Sequence, residues 1–121
     1  MTSLSETTYL LGRDGLERLE RLAATLDAID QGLQVIGPDW RYLYVNAATT
    51  RHGLKAREEL LGRTMQQAYP GIDQTPMFAR LADCMRHRRP DAMVNLFEYP
   101  DGLTAWFELR IEAHEEGLIL F

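Results

Sequence analysis

The strand-forming residues of this chain fall into two blocks, 32–46 and 91–121, and everything between them is cut into short pieces. Inside each block the strands are joined by tight turns. "GPDW" at 37–40 separates runs at 32–36 and 41–46, "PDG" at 100–102 separates "DAMVNLFEY" from "LTAWFELRIEAH", and "EEG" at 115–117 leads into "LILF". Gly, Pro and Asp are turn formers, so both blocks read as hairpins. Between the blocks the signals are helical but interrupted. "AATTRHG" stops at Gly53, "KAREELLG" at Gly62, and "TMQQAYPG" begins at a capping Thr64 and stops at Pro70 and Gly71. The longer "TPMFARLADCMRHRRP" has Thr75 as N-cap, Pro76 at the first helical position, and Phe78, Leu81, Ala82 and Met85 on one face. One antiparallel sheet with helices on one face is the economical arrangement, an α+β fold.

Ahead of the first hairpin, residues 14–30 space Leu16, Leu19, Ala23 and Leu26 by threes and fours, with Glu17, Arg18, Glu20 and Arg21 facing water. Asp14 is a fair N-cap for this helix. The stripe is too short for a coiled coil by itself and must pack on something. The expected organisation is a flexible tail over 1–15, an amphipathic helix over 16–30 and a core over 31–121 that stops inside its last strand.

Several function classes lack the residues they need. The only serines are Ser3 and Ser5, in the polar tail, which excludes a serine hydrolase. Lys55, the only lysine, follows Leu54, so there is no "GK[ST]" phosphate loop, and no "GxGxxG" occurs. A net charge of -5 argues against a nucleic-acid partner. Cys84 is the only cysteine and fits a reducing compartment. No apolar run approaches the ~18 residues of a membrane span, and the N-terminus lacks the features of a secretory signal, so the cytoplasm is expected.

A hairpin ending in "YVNAA", then "EELLGRT", a longer helix and a "PDG…WFELRIE" hairpin together resemble a PAS domain, a sensor module common in bacterial signalling proteins. The resemblance runs from about Leu26 to Phe121. It implies a five-stranded antiparallel sheet in the order 2-1-5-4-3, with short helices over one face enclosing a small pocket. It also implies that Asn46 fixes the corner from the second strand into the following helical turns. Asn suits that place physically, as a good N-cap carrying both a donor and an acceptor. The chain departs from the family at Trp40, where glycine is common, and at Phe121, where relatives run on into an Asp-(Ile/Val)-Thr linker. A fragment of a longer signalling protein, such as a sensor histidine kinase of a two-component system, is the expectation.

No catalytic constellation emerges. Free cysteine is most often a small buried hydrophobe, and Cys84 sits at the edge of the Phe78/Leu81/Met85 face, unlike the "NCRFLQ"-type cysteine of photoactive flavin-binding relatives. His87 falls opposite Phe78 among Arg86, Arg88 and Arg89, unsuited to haem ligation, and "RHRR" reads as a solvated helix end. His52 and His114 lack zinc-site spacing, and Glu58/Glu59 and Glu115/Glu116 are adjacent pairs whose side chains diverge. No haem, flavin or metal is expected.

The fold implied by the resemblance makes Leu43, Val45, Met65, Phe78, Leu81, Met85, Val94, Leu96, Phe107 and Leu109 candidates to line the pocket. Such a set is compatible with a packed core, which its Met and Leu content favours, or with room for a small apolar or weakly polar ligand. Leu16, Leu19, Ala23 and Leu26 are candidate dimer contacts, able to join Tyr42, Tyr44 and Trp106 in covering the outer sheet face of a homodimer. The expected function is a non-catalytic sensory module that binds a small ligand or partner and passes a conformational change to a downstream domain. The alternatives are a ligand-free dimerisation or docking module and, third, a small enzyme with a cone-shaped α+β fold.

Overall fold

The computed structural model describes residues 15, 17, 18, 20–99 and 101–121. The tail, Asp14, Leu16, Leu19 and Pro100 lie outside them. A leading helix, α1, is described over 20–28. Then follow strands β1 (Gln34–Ile36) and β2 (Tyr42–Val45), helices α2 (Ala47–Gly53), α3 (Arg57–Leu60) and α4 (Met65–Ala68), and a 3-10 turn at Ile72–Gln74. The longer α5 (Pro76–His87) leads into β3 (Asp91–Glu98), β4 (Thr104–His114) and β5 (Gly117–Leu120). The strands form one antiparallel sheet in the order β2-β1-β5-β4-β3.

The interrupted middle of the chain is held by local caps. Thr64 Oγ1 accepts from Gln67 N at 3.1 Å while Gln67 Oε1 accepts from Thr64 N at 2.9 Å, and Thr75 Oγ1 accepts from Phe78 N at 3.2 Å. Each cap satisfies backbone donors that a helix start leaves over. Ile36, Val45, Leu60, Leu81, Ile111 and Leu118 are fully buried between these helices and the sheet.

Strand pairing decides which side chains face that core. Met93 pairs with Leu109 and Asn95 with Phe107, while Val94 pairs with Glu108 and Leu96 with Trp106. Directly opposed residues share a face, so Met93, Asn95 and Phe97 turn inward with Phe107, Leu109 and Ile111. Val94 and Leu96, expected in the pocket, are instead 59% and 47% exposed on the outer face. In "AMVNLFE" both alternations are largely apolar, and the partner strand chooses between them.

Leu43 is displaced for a different reason. Val35 pairs with Tyr44 and Ile36 with Tyr42, so Leu43 is an extra residue in a bulge. A bulge breaks the period of two, which lets Tyr42 and Val45 both point inward and leaves Leu43 42% exposed.

Among the described residues, Trp40, Leu54, Arg88 and Glu115 are non-glycine residues in left-handed backbone conformations at turns and helix ends. Trp40 has φ 71°, which explains why glycine suits that place, and its ring packs on Phe78 with centroids 4.5 Å apart. The helix α2 ends on Leu54 at φ 57° rather than on Gly53. Arg88, the left-handed residue closing α5, donates to Glu115 O at 2.5 Å, Gly117 O at 2.9 Å and Glu116 O at 3.3 Å. It clamps the helix to the β4–β5 turn.

That turn brings Gly117 against β1. A Cβ there would lie 1.9 Å from Ile36 O, a backbone atom inside the sheet. Overpacking against something that cannot yield is costly. Gly117→Ala should lower stability by about 3 kcal/mol or more, read as a lower midpoint in urea unfolding with β1–β5 amides losing exchange protection first.

Candidate functional site

The corner between β2 and α2 is built on Asn46, whose side chain is fully buried. Its Oδ1 accepts from Leu33 N at 2.9 Å and Thr49 N at 3.1 Å, and its Nδ2 donates to Gln31 O at 2.9 Å and Leu26 O at 3.1 Å. Thr49 Oγ1 lies within reach of both Asn46 Oδ1 and Leu33 O, its single proton serving one at a time. Beside it, Asp27 Oδ1 accepts from Ala47 N at 2.9 Å and from Arg57 at 2.7 Å. The end of α1, the linker to β1 and the start of α2 thus meet on one amide.

Below this corner, between the inner sheet face and the short helices, lies a cavity of about 500 Å³. Its walls include Tyr42, Met65, Tyr69, Ile72, Met77, Asn95, Phe97, Phe107, Leu109 and Leu120. Gln31, Gly32, Gln34, Thr49 and His52 line the end nearest the Asn46 corner. This is the size of a small-molecule site, mostly apolar with a few polar groups. Tyr69 stands edge-on to Phe97 at 5.7 Å, and Lys55 Nζ lies 5.2 Å from its ring centre. A Cβ on Gly53 would come within 2.7 Å of the Tyr69 hydroxyl, which itself donates to Gly53 O at 3.4 Å. Burial pushes the Tyr42 phenol well above its usual pKa with Tyr69 adding to the shift, and raises Tyr69 to about 12.

Of the expected pocket residues, Met65, Phe107 and Leu109 line the cavity. Val45 and Leu81 are buried in the core, with Phe78 and Met85 packed against it, and Leu43, Val94 and Leu96 face away. Beside the packed core the interior keeps a cavity of about 500 Å³, where the composition favoured close packing. Tyr42, Tyr69, Met77, Asn95, Phe97 and His52 were not anticipated. The bulge that turns Tyr42 inward leaves no mark in the sequence, and Asn95 and His52 are polar residues on a largely apolar wall.

Cys84 is buried beneath α5, away from the cavity, with its thiol pKa raised by burial and by Asp91 and Asp83. His87 is exposed at the end of α5, with Nε2 3.5 Å from Asp83 Oδ1. Among the described residues no group of His, Cys, Asp and Glu is placed to hold a metal ion. Of the candidate dimer residues, Ala23 and Leu26 are half-buried, and Leu16 and Leu19 lie outside the described residues. Tyr42 faces the cavity rather than the outer sheet surface, where Trp106 is 69% exposed.

An antiparallel 2-1-5-4-3 sheet roofed by short helices over a cavity, with a polar corner at the end of its second strand, defines the class of fold. A family model described as PAS fold matches residues 26–119, and the chain belongs to that family. A domain of the sensory box sensor histidine kinase/response regulator from Geobacter sulfurreducens is 21% identical with a TM-score of 0.66, covering 85% of this chain and 90% of that one. The PAS domain of Bordetella pertussis BvgS is 19% identical with a TM-score of 0.63, covering 86% and 83%. The LOV domain of the Erythrobacter litoralis EL346 blue-light activated histidine kinase is 20% identical with a TM-score of 0.59, covering 74% and 89%. Among curated proteins no match was found.

The corner yields a direct test. Asn46→Asp keeps the acceptor but replaces two donors by a carboxylate oxygen facing two buried carbonyls. The variant should lose about 3–5 kcal/mol, recovered in part as the pH falls and the new acid is protonated, in urea unfolding followed from neutral to mildly acidic pH.

Proposed function

We propose that this chain is a sensory input module that binds a small molecule in the cavity and passes a conformational change to a downstream domain, with no catalysis of its own. The observation that carries the reading is the cavity of about 500 Å³ that reaches the Asn46 corner. Its Gln31 wall is also a hydrogen-bond partner of Asn46, and α1 is held at the same amide. Occupancy of the cavity and the seating of α1 therefore share atoms, which is what a two-state input element requires. Arrival of a signal through such an element suits a sensor histidine kinase of a two-component system.

Catalysis is disfavoured by the groups present. The one thiol is buried with its pKa raised. His52 lines the cavity but makes no hydrogen bond to a carboxylate among the described residues, so it lacks the orienting partner of a general base. A flavin held through a sulfur adduct has no cysteine to use, because Cys84 does not face the cavity. No helix among the described residues is long and apolar enough to cross a membrane, and with the unpaired cysteine this supports a cytoplasmic module.

A second reading, homodimerisation, rests on apolar surface that one chain leaves open. Leu96 and Trp106 are a cross-strand pair on the outer sheet face beside Val94, and Leu22 and Ile29 are exposed on and just after α1. A two-fold arrangement in which the leading helix of one copy covers the sheet of the other would bury both surfaces.

Native mass spectrometry of the purified chain should reveal a bound small molecule, and its absorption spectrum should carry no haem or flavin band. Met77→Trp, which fills the cavity, should cut ligand occupancy at least tenfold without unfolding the domain. A ligand-free chain whose spectrum and stability do not respond to Met77→Trp defeats the sensor reading. For the dimer, light scattering should give a two-chain mass that Trp106→Glu reduces to one, and a dimer indifferent to that change rules out this face.

A further inference from the structure

The wall of the cavity carries a polar group with nothing to bond to. Tyr42 is 2% exposed, it lines the cavity, and its hydroxyl has no hydrogen-bond partner among the described residues. The hydroxyl opens onto the cavity, so its donor is free for whatever occupies that space. The inward turn of Tyr42 depends on the bulge at Leu43, which costs ladder regularity to place a phenol where a phenylalanine would pack as well.

Resting on the ligand-binding reading above, we propose that the cavity selects an uncharged, flat, ring-containing molecule whose carbonyl oxygen accepts a hydrogen bond from the Tyr42 hydroxyl. Tyr69, whose phenol lies near enough to influence that of Tyr42, already donates to Gly53 O, which leaves Tyr42 as the free donor. Both phenols remain protonated far above neutral pH, so each offers a donor and neither a charge. The lining contains no Lys or Arg, and its one carboxylate, Glu108, belongs to an exposed residue at the rim. A carboxylate or phosphate drawn inside would lose its hydration with no cation to replace it. A carbonyl is the strong neutral acceptor that a free phenol suits. A flat ring suits these walls, where Phe97 and Phe107 contribute aromatic surface and Met65 and Met77 adaptable thioethers.

Three probes of one shape separate the possibilities: naphthalene, 2-acetylnaphthalene and 2-naphthoate, titrated calorimetrically into the wild-type chain, Tyr42→Phe and Tyr69→Phe. The carbonyl probe should bind the wild type about tenfold more tightly than the hydrocarbon, a difference of ~1.4 kcal/mol, with naphthoate the weakest. Tyr42→Phe should erase that preference while leaving naphthalene affinity and melting temperature undiminished, and Tyr69→Phe, which removes a hydroxyl bonded to Gly53 O, should leave the preference in place. If naphthalene binds but the carbonyl adds nothing, or its advantage survives Tyr42→Phe, the carbonyl inference falls while the ligand cavity stands. Tightest binding by naphthoate overturns the uncharged assignment. Failure of all three to bind the folded wild type overturns the cavity reading as well.

Discussion

A primary amide has two protons to give and one oxygen with two lone pairs, and at Asn46 all of these are engaged on backbone groups of the same chain. The four backbone groups belong to Leu26, Gln31, Leu33 and Thr49, which come from the end of α1, the linker, the entry to β1 and the first turn of α2. Aspartate would lack the donors, and alanine would leave buried backbone groups orphaned, each at the cost of its desolvation. The direction in which α2 leaves the sheet is set here. So is the position of His52 and Gly53 at its far end, which Tyr99 and Tyr69 tie down by donating to their carbonyls.

The cavity is a product of two opposed tendencies. Strand alternation presents a continuous apolar face to the helices, and close packing would normally fill the space between them. Here the inner face of β3 holds Met93, Asn95 and Phe97 while Val94 and Leu96 face out, and the bulge in β2 turns Leu43 out and Tyr42 in. The helices over this face are held at their ends, α2 at Asn46 and α5 through Arg88 at the β4–β5 turn. Left-handed conformations at Leu54, Arg88 and Glu115 are part of the same fixation, strain held in place by surrounding contacts.

How much of this could be read beforehand follows from how local each determinant is. Turn residues and caps act within three or four positions, so the hairpins, Thr64, Thr75 and the order of elements were legible, and with the family resemblance so was the sheet order. The corner asparagine was legible because its residue type and its place at a strand end coincide. The cavity lining was not. Which face of "AMVNLFE" turns inward depends on pairing with β4, and which side of β2 holds Tyr42 depends on a bulge that leaves no mark in "RYLYVN". Glycine at 117 looked like an ordinary turn former, and its role in letting β5 approach Ile36 O appears only when β1 and β5 lie side by side. Selecting candidates by hydrophobicity also excluded the polar residues that give a cavity its selectivity.

Coupling between cavity and helix then reduces to the backbone of residues 31–33. Gln31 and Gly32 line the cavity, while Gln31 O and Leu33 N are bonded to Asn46. A ligand that presses on this segment must either stretch those bonds or move Asn46 with it, and Asn46 is also bonded to Leu26 O. The linker between α1 and β1 is too short to absorb the displacement as slack, and Asp27 adds a second hold through Ala47 N and Arg57. Packed, fully bonded corners of this kind shift between discrete arrangements rather than bend continuously. On the proposed sensory reading, free energy released by filling the cavity would therefore be directed to the helix, at the end where α1 meets the sheet.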